Sequence, residues 1–231
     1  PTAYTHIVIE KPFGRDSETF DTLSQATSSL FDEEQLFRID HYMAKELMLN
    51  LLTFRFSNQM LGPLWSNEHI ASVQLIFKED IGTGGRGGYF DEFGIIRDIM
   101  QNHLLQVFNL LAMEAPASLH AADIAARKTE LLQSVEAVAI DDVLLGQFAA
   151  GSFYDGGEVK TEPSYLEDET VPEGSRCPTF AMACLRVNNA RWKGVPFLMS
   201  AGKGLDERKA EVRVTFKPTA TAALFGAAGG G

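Results

Sequence analysis

The chain has 231 residues, enough for one large domain or a domain and a half, and at this size it needs no disulfide or metal staple to bury a core. Acidic residues outnumber basic ones 31 to 20, giving a net charge of -11. This excludes a chain-wide basic footprint for nucleic acid and leaves any anionic ligand to a few local bases. No apolar run approaches the ~20 residues of a membrane-spanning helix, and no basic-then-apolar leader stands at the start. Two cysteines, Cys177 and Cys184, read as small strand residues, and no CxxC or HExxH spacing occurs. No metal, nucleic-acid or membrane partner is therefore expected, and a reducing, cytoplasmic compartment fits.

The first element is HIVIE, His6 to Glu10, a β-branched run typical of a buried strand. A buried strand wants neighbours on both sides, so upstream sequence is expected. The strand runs into KPFGRD, where Lys11-Pro12 is either a plain turn or a cis bond that re-aims the lysine. Asp16 or Ser17 caps a helix carrying Phe20, Leu23, Thr27, Leu30 and Phe31 at helical spacing. A second helix follows Asp40 through HYMAKELMLNLL, and Gly62-Pro63 breaks the pattern. Ala71, Val73, Leu75 and Phe77 alternate as a half-buried strand.

GTGGRGG, Gly82 to Gly88, is a loop. Gly82, Gly84 and Gly87 satisfy GxGxxG, but extra glycines, Arg86 and the intervening YFDEFG argue against a dinucleotide loop. A helix spans Ile95 to Met113, interrupted by Asp98, Gln101, Asn102 and His103, and another lies within Asp123 to Ser134. Strands are expected over Val135–Ile140, Val143–Ala149, Thr179–Val187, Phe197–Ser200 and Ala210–Phe216. Tyr154 to Cys177 reads as an acidic surface excursion. The tail TATAALFGAAGGG reads as a ragged end. Helices followed by strands without intervening helices give an α+β fold with a large, mainly antiparallel sheet.

Chemistry concentrates in RIDHYMAKE, Arg38 to Glu46. His41 and Lys45 are four apart and share a helix face, as a phosphate grip or simply a charged helix start. Asp40 caps that helix or orients another side chain. Glu79, at the end of the core-side face of its strand, accepts from hydroxyls or merely begins the loop. His103 is either a satisfied core histidine or a general base. Five residues on an α-helix turn through about 140°, so Asp98 need not be its partner, and a carboxylate from elsewhere is available to orient it.

EKPFG, RIDHYMAKE, GGRGGYFDEFGIIRDIMQNHLLQ, LLAMEAP and GKGLDERKAEVR, in that order, resemble the glucose-6-phosphate dehydrogenase family. The resemblance implies oxidation of glucose 6-phosphate at C1 to the lactone, with hydride passing to NADP, the first step of the oxidative pentose phosphate pathway. It implies that His103 is the base and Asp40 its orienting carboxylate. It makes His41, Tyr42 and Lys45 phosphate ligands, Glu79 and Asp98 hydroxyl ligands, and Lys203 and Arg208 further substrate-side bases. Lys11, beside a proline that is cis in the family, stands between cofactor and substrate. The family's HYLGKE reads HYMAKE here. Neither the GxxGDLA-type turn nor the family's C-terminal part is in the sequence. Residues 1–35 are thus expected to be the last strand and helix of a Rossmann domain. Residues 36–231 are expected to be part of the β+α domain that binds substrate and dimerises, in a homodimer or homotetramer when complete. The chain alone is expected to turn over weakly or not at all. A non-catalytic phosphosugar-binding module is the main alternative, and an acidic interaction domain a third.

Overall fold

The computed structural model describes residues 5–44, 46–155 and 158–221. Lys45 and most of the expected ragged tail lie outside the described residues.

β1 (Ile7–Glu10), α1 (Ser17–Ser28) and β2 (Leu36–Ile39) form a parallel β-α-β unit, with Ile7 opposite Leu36 and Glu10 opposite Ile39. Asp16 caps α1: its Oδ1 accepts the Thr19 amide at 2.9 Å, and the Thr19 hydroxyl oxygen accepts the Asp16 amide at 3.1 Å. β2 was not expected, because LFRI offers no clear alternation. Contrary to the buried-strand reading, Val8 is 62% exposed, since β1 pairs with β2 alone among the described residues.

One tight turn (His41–Ala44) leads into α2 (Glu46–Phe56), and a single helical turn, α3 (Leu61–Leu64), forms across the Gly62-Pro63 break. The main sheet is built from β3 (Ile70–Lys78), β4 (Val143–Gly146), β7 (Phe180–Leu185), β8 (Phe197–Gly202) and β9 (Lys209–Phe216), in the order β4-β7-β8-β3-β9. Only the β3–β8 pairing is parallel, so the sheet is mainly antiparallel as expected. Val73, Leu75 and Phe77 of β3 are buried on one face, as their alternation requires.

One expected strand fails in the middle of the chain. Val135–Ile140 is not a strand: Val135 makes one isolated bridge to Val187, and the chain turns at Ile140–Asp142 with Ile140 exposed. The described residues of the acidic excursion are mostly exposed, as expected, but include regular structure. They contain most of a hairpin, β5 (Gly151–Asp155) with β6 (Glu158–Glu162), and the fully buried Tyr165, whose hydroxyl donates to Asp91 at 2.8 Å. Cys184 is in β7, but Cys177 lies in the loop before it; both are free thiols.

The expected helix from Ile95 to Met113 is two conformations end to end. After the short α4 (Gly87–Asp91), Ile96–Leu104 is π-helical and α5 (Leu105–Ala112) is α-helical. Side chains intrude on the widened ladder: the Asn102 amide donates to the carbonyls of Asp98 (2.9 Å) and Arg97 (3.2 Å), and Lys11 donates to the Asp98 carbonyl at 2.9 Å. α5 ends without a glycine cap. Its last carbonyls are taken instead by side chains: Arg55 on Leu110 and Met113, Trp65 on Leu111, and Trp192 on Ala112, at 2.7–3.0 Å. α6 (Ala121–Gln133) then packs along α5.

Candidate active site

β2 ends at Ile39, which delivers Asp40 to the mouth of the π-helical segment. Asp40 Oδ1 lies 2.6 Å from Nδ1 of His103 and accepts the Tyr42 amide at 2.9 Å. His103 is 2% exposed. Burial pushes the Asp40 carboxyl up, but the hydrogen bond and charge of His103, with the Tyr42 amide, outweigh it and hold the group below the ordinary aspartate range. The rings of Tyr42 and His41 stand 4.4 Å and 4.7 Å from the His103 ring, and His41 Nδ1 is 3.0 Å from Glu10 Oε1. Asp40, His41 and His103 bring donor atoms within 4.8 Å of one another, but a metal there would compete with the direct Asp40–His103 contact.

A second group continues from the same segment. Lys11 Nζ is 3.0 Å from Asp98 Oδ1, Lys203 Nζ is 3.8 Å from Asp98 Oδ2, and Lys203 is hydrogen-bonded to Glu79. The parallel β3–β8 register makes this possible. Glu79 and Lys203 each follow the last residue of their strand, and the Glu79 amide bonds the Gly202 carbonyl at 2.9 Å. The result is an alternating row: Lys11, Asp98, Lys203, Glu79. Arg208 is exposed just before β9, and its charge is felt by Tyr42. The Lys11-Pro12 bond is cis.

The structure thus gathers Asp40, His41, Tyr42 and His103 in one cluster and Lys11, Asp98, Lys203 and Glu79 in another. The π-helix corrects the 140° argument. With i→i+5 hydrogen bonding, Asp98 and His103 are roughly stacked, yet each bonds a different partner. Sequence reasoning missed Gln106 and Lys128, which are hydrogen-bonded to each other at 2.8 Å between α5 and α6. A lysine on an amphipathic helix reads as solvated until the fold shows what it faces.

The GxGxxG run is occupied by the protein itself. Asp168 accepts the Gly87 amide at 3.1 Å and the Thr83 hydroxyl at 2.9 Å, and Thr170 accepts the Gly88 amide at 2.9 Å. A Cβ at Gly88 would stand 2.5 Å from the Thr170 carbonyl oxygen, so glycine is needed there for close approach. A carboxylate fills the place a phosphate would take.

The fit to a nicotinamide dinucleotide is confined to one contact among the described residues. The start of α1 is closed by the Asp16 capping box, which presents an acid rather than free amides to an anion. Lys11 is different: its ammonium borders an open cleft of about 590 Å3 shared with Phe13, Arg15, Phe93 and Arg97.

A carboxylate holding a buried imidazole, beside a row of ammonium and carboxylate groups, is an arrangement suited to acid–base chemistry. The chain matches two family models, "Glucose-6-phosphate dehydrogenase, NAD binding domain" over residues 2–50 and "Glucose-6-phosphate dehydrogenase, C-terminal domain" over residues 52–228. It therefore belongs to the glucose-6-phosphate dehydrogenase family. It is 55% identical over 214 residues to glucose-6-phosphate 1-dehydrogenase 3, chloroplastic, of Arabidopsis thaliana, covering 93% of this chain and 35% of the relative. It is 51% identical to glucose-6-phosphate 1-dehydrogenase of Drosophila melanogaster, covering 93% and 40%. A solved glucose-6-phosphate dehydrogenase in complex with its substrate glucose-6-phosphate superposes with a TM-score of 0.86 at 47% identity, covering 93% of this chain and 43% of that one. The chain spans about two-fifths of the length of such relatives.

Proposed function

We propose that this chain carries the substrate site and general base of a glucose-6-phosphate dehydrogenase that oxidises the C1 hydroxyl of glucose 6-phosphate to the 1,5-lactone. The observation that carries the reading is the 2.6 Å contact between Asp40 Oδ1 and His103 Nδ1. Asp40 holds the Nδ1–H, leaving Nε2 of His103 to take the C1 hydroxyl proton. Hydride loss from C1 is easier when that proton leaves with it. Bound NADP supplies the hydride acceptor.

His41, Tyr42 and Lys45 hold the phosphate, with Arg208 as a further cation. Glu79 and Asp98 accept from sugar hydroxyls, and Lys203, bonded to Glu79 and 3.8 Å from Asp98, holds the two acids in place. Anchoring the phosphate orients C1 from a distance. Lys11 stands between cofactor and sugar. Because the described residues offer the dinucleotide little beyond Lys11, the chain by itself is expected to turn over weakly.

The β1-α1-β2 unit supports a dinucleotide-binding domain that runs through β2 to Ile39, beyond the 1–35 boundary expected from the sequence, with the substrate domain following it. A homodimer or homotetramer and a cytoplasmic site belong to the same proposal. The described residues contain no helix long and apolar enough to cross a membrane.

The test is a chimera in which residues 2–228 replace the matching segment of the Drosophila relative. It should reduce NADP with glucose 6-phosphate, and His103→Ala should abolish turnover while sugar-phosphate binding persists. A chimera that binds the sugar phosphate but never turns over would instead indicate a non-catalytic phosphosugar module.

A further inference from the structure

Lys128, on α6, reaches across to α5 and donates to Gln106 Oε1 at 2.8 Å. Gln106 lies three residues beyond His103, close to one turn along the same rod. The second oxygen of Asp40, Oδ2, is buried with no hydrogen-bond partner among the described residues. A buried carboxylate oxygen in that condition is costly unless a cation stands near it. Burial pushes the Lys128 ammonium down from the ordinary lysine range, and the charge that pushes it back is Asp40.

The other charged groups around the dyad are engaged elsewhere or lie on its open side. His41 and Tyr42 come from the turn after β2, with Glu10 of β1 on His41. Asp98, on the π-helical segment, is matched by Lys11 and Lys203, and Lys203 also by Glu79. Arg208 approaches from the Tyr42 side. Lys128 comes from α6, and its hydrogen-bond partner is a neutral amide, so among the described residues no carboxylate within ion-pair distance neutralises it, and Asp40 is the charge that acts on it.

We propose that Lys128 is a positioning residue for the general base: clamped by Gln106, its ammonium stabilises the unpaired oxygen of Asp40. Through Asp40 it keeps the Nδ1 side of His103 committed and Nε2 open. This rests on the dehydrogenase reading of the site. A merely structural Lys128 would tie α6 to α5 and leave the protonation of the dyad alone.

The test is a nuclear magnetic resonance titration of the His103 ring in the 231-residue chain, with Lys128→Met, Lys128→Gln and Lys128→Arg. Removing a nearby positive charge makes proton uptake easier. The dyad's midpoint should therefore rise by roughly half a unit or more in Lys128→Met and Lys128→Gln and return in Lys128→Arg. If Lys128→Met does not fold, Lys128→Gln, which keeps a hydrogen bond to Gln106, decides. An unmoved midpoint in the folded neutral variants, or an equal rise in Lys128→Arg, overturns the proposal. The readout needs no turnover, so its failure leaves the dehydrogenase reading standing.

Discussion

Arg55 is 6% exposed, and it ties α2 to the end of the rod that carries His103. Its guanidinium satisfies two of the four carbonyls at the C-terminal end of α5, at 2.7 Å and 3.0 Å, and stacks 4.5 Å from the Phe56 ring centroid. Replacing it by methionine keeps the apolar stem and removes both donors. Each buried carbonyl left unpaired costs about 1–3 kcal/mol, and the lost ring contact adds about 0.5–2 kcal/mol. Relief of a buried charge takes part of this back, since burial, with Arg191 nearby, pushes the Arg55 guanidinium down from its ordinary range. The expected net loss for Arg55→Met is about 3 kcal/mol, or about 6–12 °C in melting temperature for a chain of this size. Urea unfolding followed by tryptophan emission is the assay, because Trp65 and Trp192 donate to the two carbonyls between those of Arg55. A loss below about 1 kcal/mol at unchanged m would refute the claim that side chains, not solvent, cap this helix.

Two further outcomes follow from the site and its supporting loop. Asp168 is held down to about 2 by the Thr170 hydroxyl and amide, then by Thr83 and the Gly87 amide. Its folded value lies below its unfolded one, so its contribution is complete above about pH 4 and is lost as pH falls through about 2. The Gly87 amide resonance should titrate with a midpoint near 2, and a midpoint near 4 would contradict the loop assignment. Lys203→Met removes the ammonium hydrogen-bonded to Glu79 and one of the two beside Asp98, which keeps Lys11, so glucose 6-phosphate affinity should fall at least tenfold by calorimetry. Lys217→Met, at the far end of β9, is the control, and equal losses in both variants would count against a specific role for Lys203.

The strands of the main sheet and the helices were legible because alternation and helical spacing reflect burial directly. Val73, Leu75 and Phe77 are buried as their period requires. Val135–Ile140 shows the limit: the apolar pattern is present, but a strand needs a neighbour, and Glu136 bonds the Arg186 carbonyl without extending a ladder. The π-helical segment was invisible because part of what holds it is long-range: besides the local Asn102 amide, Lys11, 87 positions away, takes a carbonyl of the segment. His103 and Asp40 were legible as residues through their family motifs. Their pairing across 63 positions was implied by the resemblance but not by spacing, and the fold brings the two groups to 2.6 Å. Lys128 was illegible because nothing local distinguishes it from a solvated helix lysine.

The most direct test of the account is a calorimetric titration of the folded 231-residue chain with glucose 6-phosphate, using glucose as the control. The account predicts binding that requires the phosphate and weakens in His41→Ala and Lys45→Ala. No heat from a demonstrably folded chain, or equal heats for glucose and its phosphate, would contradict the assignment of these residues to a sugar-phosphate site.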